Sequence, residues 1–220
     1  MGPRLCGVMV LSTCATISLH VQRADAVGVV TFYNDQASFL AAMQAKATLD
    51  FEGLATDTGH FQLGTSYHTG AVTFSTSDSH INLSIAGRNS GTAGAPFDSA
   101  LLYPVAEPVG MNSMFDPGSN ITAVGGYLMI LASSAFNGRI TLYGSSGVLD
   151  TRIVSFGSAT AGHPHTFYGY TVVGDTISNM KTEFLPGGQA YDNFTYGTVP
   201  APATASLLIF SGLAAARRRR

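Results

Sequence analysis

Short runs of apolar and β-branched residues alternate with turn residues along most of this chain. Runs of this length, bounded by glycine, proline, serine and asparagine, are typical of β-strands rather than of helices. The pattern predicts strands at 48–51, 71–75, 81–85, 101–103, 113–115, 121–131, 139–143, 148–154, 166–173, 177–184 and 191–196. So many short strands with glycine-rich turns predict an all-β fold, an antiparallel β-sandwich of jelly-roll type.

Local signals add detail at three places in this outline. One short helix near the N-terminus is predicted to begin at the capping residue Asn34, with Phe39, Leu40 and Met43 on one face. The segment 144–147 (GSSG) lies between two strand patterns and predicts a hairpin turn. The pair Gly125 and Gly126 inside a long apolar run predicts a bulge or a bend.

The N-terminal 26 residues have the composition of a signal peptide. Arg4 supplies positive charge, 5–19 form an apolar stretch, and 24–26 (ADA) offer small residues at a cleavage site. Cleavage there would start the mature chain at Val27. Both cysteines, Cys6 and Cys14, lie in this leader, so we expect neither a disulfide nor thiol chemistry in the domain spanning 27–198.

The C-terminal segment 199–220 has three parts: a proline motif, an apolar run at 203–216 and four terminal arginines. As a helix the apolar run would reach roughly 21 Å, which is short against a hydrocarbon core of about 30 Å. The arginines would stay in the cytoplasm, which places the domain across the membrane. Proline keeps the preceding stretch extended and accessible. The residues that carry this pattern are Val199, Pro200, Ala201, Pro202, Arg217, Arg218, Arg219 and Arg220.

This segment resembles the C-terminal sorting signal of PEP-CTERM proteins of Gram-negative bacteria, although Ala201 stands where that family usually carries glutamate. The resemblance implies processing by an exosortase-type membrane enzyme. It also implies a chain that is anchored transiently in the inner membrane and then reaches the cell surface or the extracellular space. The alternatives are an ordinary tail anchor and a hydrophobic C-terminus that docks on the domain.

The charge of the predicted domain limits the classes of macromolecule that it can bind. The interval 27–198 contains five basic and twelve acidic side chains, because six of the eleven lysines and arginines lie in the two ends. An acidic domain of this kind excludes nucleic acid as a partner. A composition rich in glycine, serine, threonine and asparagine suits a cell-surface or matrix protein.

A second resemblance covers about residues 29–197. The phrases that carry it, in order, are 49–52 (LDFE), 121–127 (ITAVGGY), 167–170 (FYGY), 175–178 (DTIS) and 191–197 (YDNFTYG). They are similar to the extracellular lectin-like sandwich common in PEP-CTERM proteins, which implies a fold and a compartment but no activity. The resulting hypothesis is a non-catalytic, adhesive or glycan-associated domain with exopolysaccharide or another surface glycan as partner. The alternative is a secreted carbohydrate-active enzyme with an unrecognised site.

Three acidic residues are candidates for a structural calcium site. Asp50 and Glu52 lie two apart on a predicted strand, which would place them on one face, and Asp192 lies on the last strand. By analogy with jelly-roll carbohydrate-binding modules, whose first and last strands share a calcium ion, we expect Glu52 and Asp192 as ligands. Asp50 and backbone carbonyls would complete the six to eight oxygen ligands. In the alternative interpretation these acids cap turns or lie exposed.

Catalytic signatures are weak by comparison. Same-face residues such as Asp50 and Glu52 lie roughly 6.6 Å apart on a strand, which fits the carboxylate spacing of glycosidases but also fits every pair of that kind. The chain has no Gly-x-Ser-x-Gly elbow, phosphate-binding glycine loop or HExxH helix. Strand aromatics are expected to fill the core, although Tyr168 and Tyr170 share one face and could instead form a sugar-stacking platform.

Overall fold

A computed structural model describes residues 28–54, 58–87, 100–105, 110–130, 136–156, 165–184 and 188–200. These residues form one helix and fourteen strands. In chain order the elements are β1 Val29–Tyr33, α1 Gln36–Ala42, β2 Ala45–Leu49, β3 His60–Gly64, β4 Ser66–Thr69, β5 Val72–Thr76, β6 Leu83–Ala86, β7 Leu101–Pro104, β8 Met111–Phe115, β9 Ala123–Ile130, β10 Phe136–Gly144, β11 Gly147–Phe156, β12 His165–Val173, β13 Ile177–Phe184 and β14 Gln189–Thr198.

The strands form two antiparallel sheets. The first sheet has eight strands in the order β1-β12-β9-β14-β7-β6-β3, with β2 also paired to β14. The second sheet has six strands in the order β11-β10-β13-β8-β5-β4. The prediction of an all-β antiparallel sandwich is therefore confirmed.

The core lies between the two sheets and is rich in aromatic side chains. The strands contribute their alternate residues to it, as the pleat requires. At its centre is a set of five buried rings that we call the aromatic cluster: Phe51, Phe74, Phe115, Tyr191 and Phe194. The rings of Phe74 and Phe194 are the closest pair, edge to face with centroids 4.9 Å apart. Each such ring removes roughly 150–250 Å² from water, so these five side chains contribute strongly to the burial of apolar surface.

Tyr168 and Tyr170 of β12 belong to this core. Their exposed fractions are 0% and 1%, so the expectation that strand aromatics fill the core is confirmed for this pair, and the sugar-stacking alternative is wrong for it. Desolvation raises the pKa of both phenols. Both hydroxyls stay protonated at neutral pH and are enclosed between the sheets.

The predicted helix is confirmed as α1, and its cap is one residue later than expected. The Asp35 carboxylate, rather than the Asn34 side chain, accepts a hydrogen bond from the Ser38 N–H at 2.7 Å. Phe39 is fully buried and packs with Ala123 and Phe167 on the outer face of the first sheet. The helix therefore covers part of that face.

The hairpin predicted at 144–147 is confirmed as the turn between β10 and β11. The Asp175 carboxylate stabilises this turn. It accepts hydrogen bonds from the Ser145 hydroxyl at 2.8 Å and from the Thr176 N–H at 2.7 Å. The irregularity predicted at Gly125 and Gly126 lies in the partner strand instead. There Asp192 pairs with Tyr127 and Thr195 with Gly125, which leaves two residues of β14 opposite Gly126 alone.

Candidate functional site

Asp50 and Glu52 lie in a turn, so their placement on one face of a strand was wrong. Strand β2 ends at Leu49, and Phe51 adopts a left-handed backbone with φ 57°. This conformation directs the Phe51 ring into the core, 5.8 Å from Phe74, and leaves the two acids on the outer side of the turn. An aromatic residue is uncommon at positive φ, and burial of its ring compensates for the backbone strain.

Both carboxylates hold backbone amides in place. The Glu52 N–H donates to Asp50 Oδ1 at 3.1 Å, and the Ala100 N–H donates to Glu52 Oε1 at 2.9 Å. The second bond ties the turn to the start of β7. The turn-capping interpretation of these acids therefore has direct support.

The two acids border a shared surface depression of about 260 Å³. Tyr67 and Thr69 of β4 also line it. The sequence singled out neither residue, because β4 is only four residues long and was not predicted. Their alternation with exposed Ser66 and His68 was the available signal.

Asp192 lies on β14 as predicted and is 1% exposed. Its Oδ2 accepts a hydrogen bond from Asn193 Nδ2 at 3.1 Å. Strand β2 ends opposite Phe194, so the turn bearing Asp50 and Glu52 starts two residues along β14 from Asp192. The fold therefore brings the three predicted acids to one region of the first sheet, although Asp192 is not among the residues that line the depression.

Within the part of the chain that the structure describes, no group of three or more histidine, cysteine, aspartate or glutamate side chains could hold a metal ion. Asp50 and Glu52 form a pair rather than a larger cluster. Backbone carbonyls are common ligands of calcium, and such a pair can be completed by them.

The sorting segment lies mostly outside the described residues. Strand β14 ends at Thr198, and the Val199 N–H then donates to Thr122 Oγ1 at 2.9 Å. Ala201, Pro202 and Arg217 to Arg220 lie outside, as does the apolar run at 203–216. Among the described residues, no helix has the length and apolar character needed to cross a membrane.

The chain is thus a two-sheet antiparallel β-sandwich, and the turn that contains Asp50 and Glu52 lies beside its last strand. Comparison with protein families, curated proteins and solved structures finds no match to the chain.

Proposed function

We propose that this chain is an exported cell-surface or extracellular-matrix protein that follows a PEP-CTERM-like sorting route. In this proposal residues 1–26 direct export, and residues 199–220 anchor the chain in the inner membrane until an exosortase-type enzyme processes it. The domain between them is non-catalytic and adhesive, and it associates with exopolysaccharide or another surface glycan. The observation that carries the proposal is that the sandwich runs from Val29 to Thr198 and so fills the interval between the two signals.

The end of β14 supports this arrangement. Strand β14 is an interior strand with partners on both sides, and Val199 is still fixed to Thr122. Pro200 has no N–H and cannot continue the hydrogen-bonded ladder. The proline motif therefore begins where the chain leaves the sheet, which is where a processing enzyme needs an extended and accessible segment.

Strand order supports a jelly-roll assignment for the sandwich. Strands β7-β14-β9-β12 are neighbours in the first sheet, and β8-β13-β10-β11 are neighbours in the second. This order is the one expected if the eight strands from β7 to β14 form the two Greek keys of a jelly roll. Strands β1 to β6 extend the two sheets at their edges and along β14.

The sorting proposal predicts that the mature protein has lost both ends. Intact mass and terminal peptide sequencing of protein from surface and medium fractions should give an N-terminus near Val27 and a C-terminus between Pro200 and Ala203. Replacing Arg217 to Arg220 with serine should abolish C-terminal processing, because these charges hold the segment in the membrane. The matched control is Lys46→Ser, which removes an exposed charge of β2 and should be processed normally.

An intact Arg220 in the wild-type protein from both fractions would contradict the proposal. So would normal C-terminal processing of the arginine-free variant.

The proposal includes a structural calcium ion at the acidic turn. Asp50 and Glu52 would supply carboxylate oxygens, Asp192 is the candidate third acid, and backbone carbonyls of the turn would add further ligands. The ion would neutralise like charges that the turn brings together. Two observations support this: both acids border one depression, and the turn starts beside β14 close to Asp192.

Calcium is therefore expected to raise the thermal midpoint of unfolding compared with a chelator. A ligand at about 100 times its dissociation constant stabilises the folded state by about 2.7 kcal/mol. The Asp50→Asn and Glu52→Gln variants should each lose most of this gain in a melting experiment. Asp116→Asn, which alters an acid about half exposed and outside this turn, is the control and should keep it. An unchanged midpoint in the wild-type protein, or an equal gain in all variants, would rule out a calcium site at this turn.

A further inference from the structure

Two rows of side chains cross all six strands of the second sheet on its outer face. Pairing registers place one residue of each strand in each row. The polar row, in sheet order from β11 to β4, consists of Thr151, Thr141, Lys181, Asn112, Ser75 and Ser66. The mixed row consists of Val148, Tyr143, Asn179, Met114, Thr73 and His68.

The dimensions of these rows fit an extended chain of sugar rings. Neighbouring strands lie about 4.8 Å apart, so five spacings make a row of about 24 Å. The rows are two residues apart, or roughly 6.6 Å, along five of the strands, and three residues apart on β11, where the pairing register shifts. Together they form a strip that is several sugar rings long and about one ring wide.

The polar row has hydrogen-bonding groups that the protein does not use. Within the described residues, the side chains of Thr141, Thr151, Asn112, Ser75 and Ser66 have no hydrogen-bond partner. Hydroxyl and carboxamide groups both donate and accept, as sugar hydroxyls do. Thr141 is only 7% exposed, whereas the other four are exposed or half-buried and present complementary partners along the row.

The mixed row combines apolar surface with an unsatisfied acceptor. Val148 and Met114 are 61% and 44% exposed, and Tyr143 is half-buried beside them. Such surface suits the C–H faces of pyranose rings. Between Tyr143 and Met114, the shielded Asn179 Oδ1 accepts no hydrogen bond from the described residues. A ligand hydroxyl that reached this oxygen would satisfy it.

The described helix leaves this face uncovered. Helix α1 contacts β1 and β12, which both belong to the first sheet. The outer face of the first sheet thus carries Phe39 and its neighbours, whereas the two rows on the second sheet have no described element packed over them.

Charge indicates which glycans suit this face. On the outward positions of the six strands the charged groups are Arg139, Lys181 and Glu183, and they pair with one another at 2.7 and 2.8 Å. These pairs, Lys181 first, lower the pKa of Glu183 and keep it ionised. The face is thus close to neutral, whereas the interval 27–198 has twelve acidic and five basic side chains. A polyanion would be repelled by the domain as a whole, but a neutral glycan would not.

We propose that the outer face of the second sheet binds an extended neutral polysaccharide that lies across the strands along the two rows. Its hydroxyl groups bond to the polar row and its ring faces lie on Tyr143 and Met114. The inference rests on the proposed function in one respect, that the domain meets glycans outside the cell.

Affinity electrophoresis of the purified full chain, in mild detergent, tests this inference. Native gels contain hydroxyethyl cellulose or laminarin as neutral probes, or alginate as an acidic probe. The wild-type chain should be retarded in at least one neutral gel. Tyr143→Ala and Asn112→Ala should each weaken the apparent affinity about tenfold, a typical loss for one good contact. Thr31→Ala, an exposed change on β1 of the other sheet, is the matched control and should migrate like the wild type.

Asn179→Leu separates binding from folding. It removes a shielded acceptor that has no hydrogen-bond partner among the described residues, so the melting temperature should stay equal or rise while glycan retardation falls. Three outcomes would overturn the inference. They are no retardation in either neutral gel, retardation by alginate alone, and binding as strong as that of the wild type by Tyr143→Ala, Asn112→Ala and Asn179→Leu. If the termini are processed but no gel retards the chain, this inference alone is wrong. If a neutral gel retards the chain but both termini are intact, only the sorting proposal is wrong.

Discussion

Replacing Phe194 with alanine is expected to lower the free energy of unfolding by about 3–5 kcal/mol, the usual cost of removing a fully buried phenyl ring. Phe194 is 0% exposed and lies at the centre of the aromatic cluster. Its ring centroid is 4.9 Å from Phe74 and 5.7 Å from Tyr191. Strands from both sheets supply these contacts, so the interior can collapse only partly around the missing ring.

Urea unfolding followed by circular dichroism gives the free energy, and tyrosine fluorescence supplies a second probe because the chain has nine tyrosines and no tryptophan. The control is Ile153→Ala, which removes a β-branched side chain that is 65% exposed on β11. It should change stability by no more than about 0.5 kcal/mol. A cost below about 1 kcal/mol for Phe194→Ala would mean that the cluster is not packed as described.

The position of Phe194 depends on the irregularity in β14. Tyr191 and Phe194 are three residues apart and would face opposite sides of a regular strand. Both pack in the aromatic cluster because the strand holds an extra residue at this point, with Asn193 at φ 49°. The bulge therefore shifts the alternation by one residue between Asp192 and Thr195.

The alternation of apolar residues was sufficient to predict the long central strands, because these strands have one or both faces buried. It missed β1, β3 and β4, which lie at sheet edges and carry mixed or exposed residues. The alternation also predicted one strand at residues 48–51, because a pattern of apolar residues does not show that the Phe51 backbone is left-handed. Sequence alone therefore identified Asp50 and Glu52 but not the turn that holds them.

The two rows on the second sheet could not be predicted from the sequence, for a different reason. Asn112, Asn179 and Lys181 are unremarkable polar residues within their own strands, and only the pairing register places them beside one another. Register depends on turn geometry and on contacts between distant segments. A single sequence contains neither for strands as far apart as β8 and β13.

Replacing Gly169 with alanine is expected to lower the free energy of unfolding by about 1–3 kcal/mol in the wild-type background, the usual cost of overfilling a packed site. A Cβ at this position would lie 2.7 Å from Phe39 Cδ2 and 2.8 Å from Phe39 Cγ. Phe39 is fully buried and joins α1 to the first sheet, so its ring has little room to move. The same substitution should cost much less after Phe39→Ala, because the ring that the Cβ would meet most closely is then gone and only the Phe167 Cε1 contact at 3.1 Å remains.

A double-mutant cycle in urea measures this coupling, and the coupling should equal most of the cost of Gly169→Ala. Phe39→Ala alone should cost about 3–5 kcal/mol, so the comparison is made at matched fractions unfolded. The control is Gly110→Ala, whose Cβ would lie 2.8 Å from the Thr182 carbonyl oxygen in the second sheet, away from Phe39. Removing the Phe39 ring leaves that backbone contact in place, so Gly110→Ala should keep its cost in both backgrounds. Additive costs for Gly169→Ala and Phe39→Ala would show that α1 does not seat its phenyl ring on Gly169.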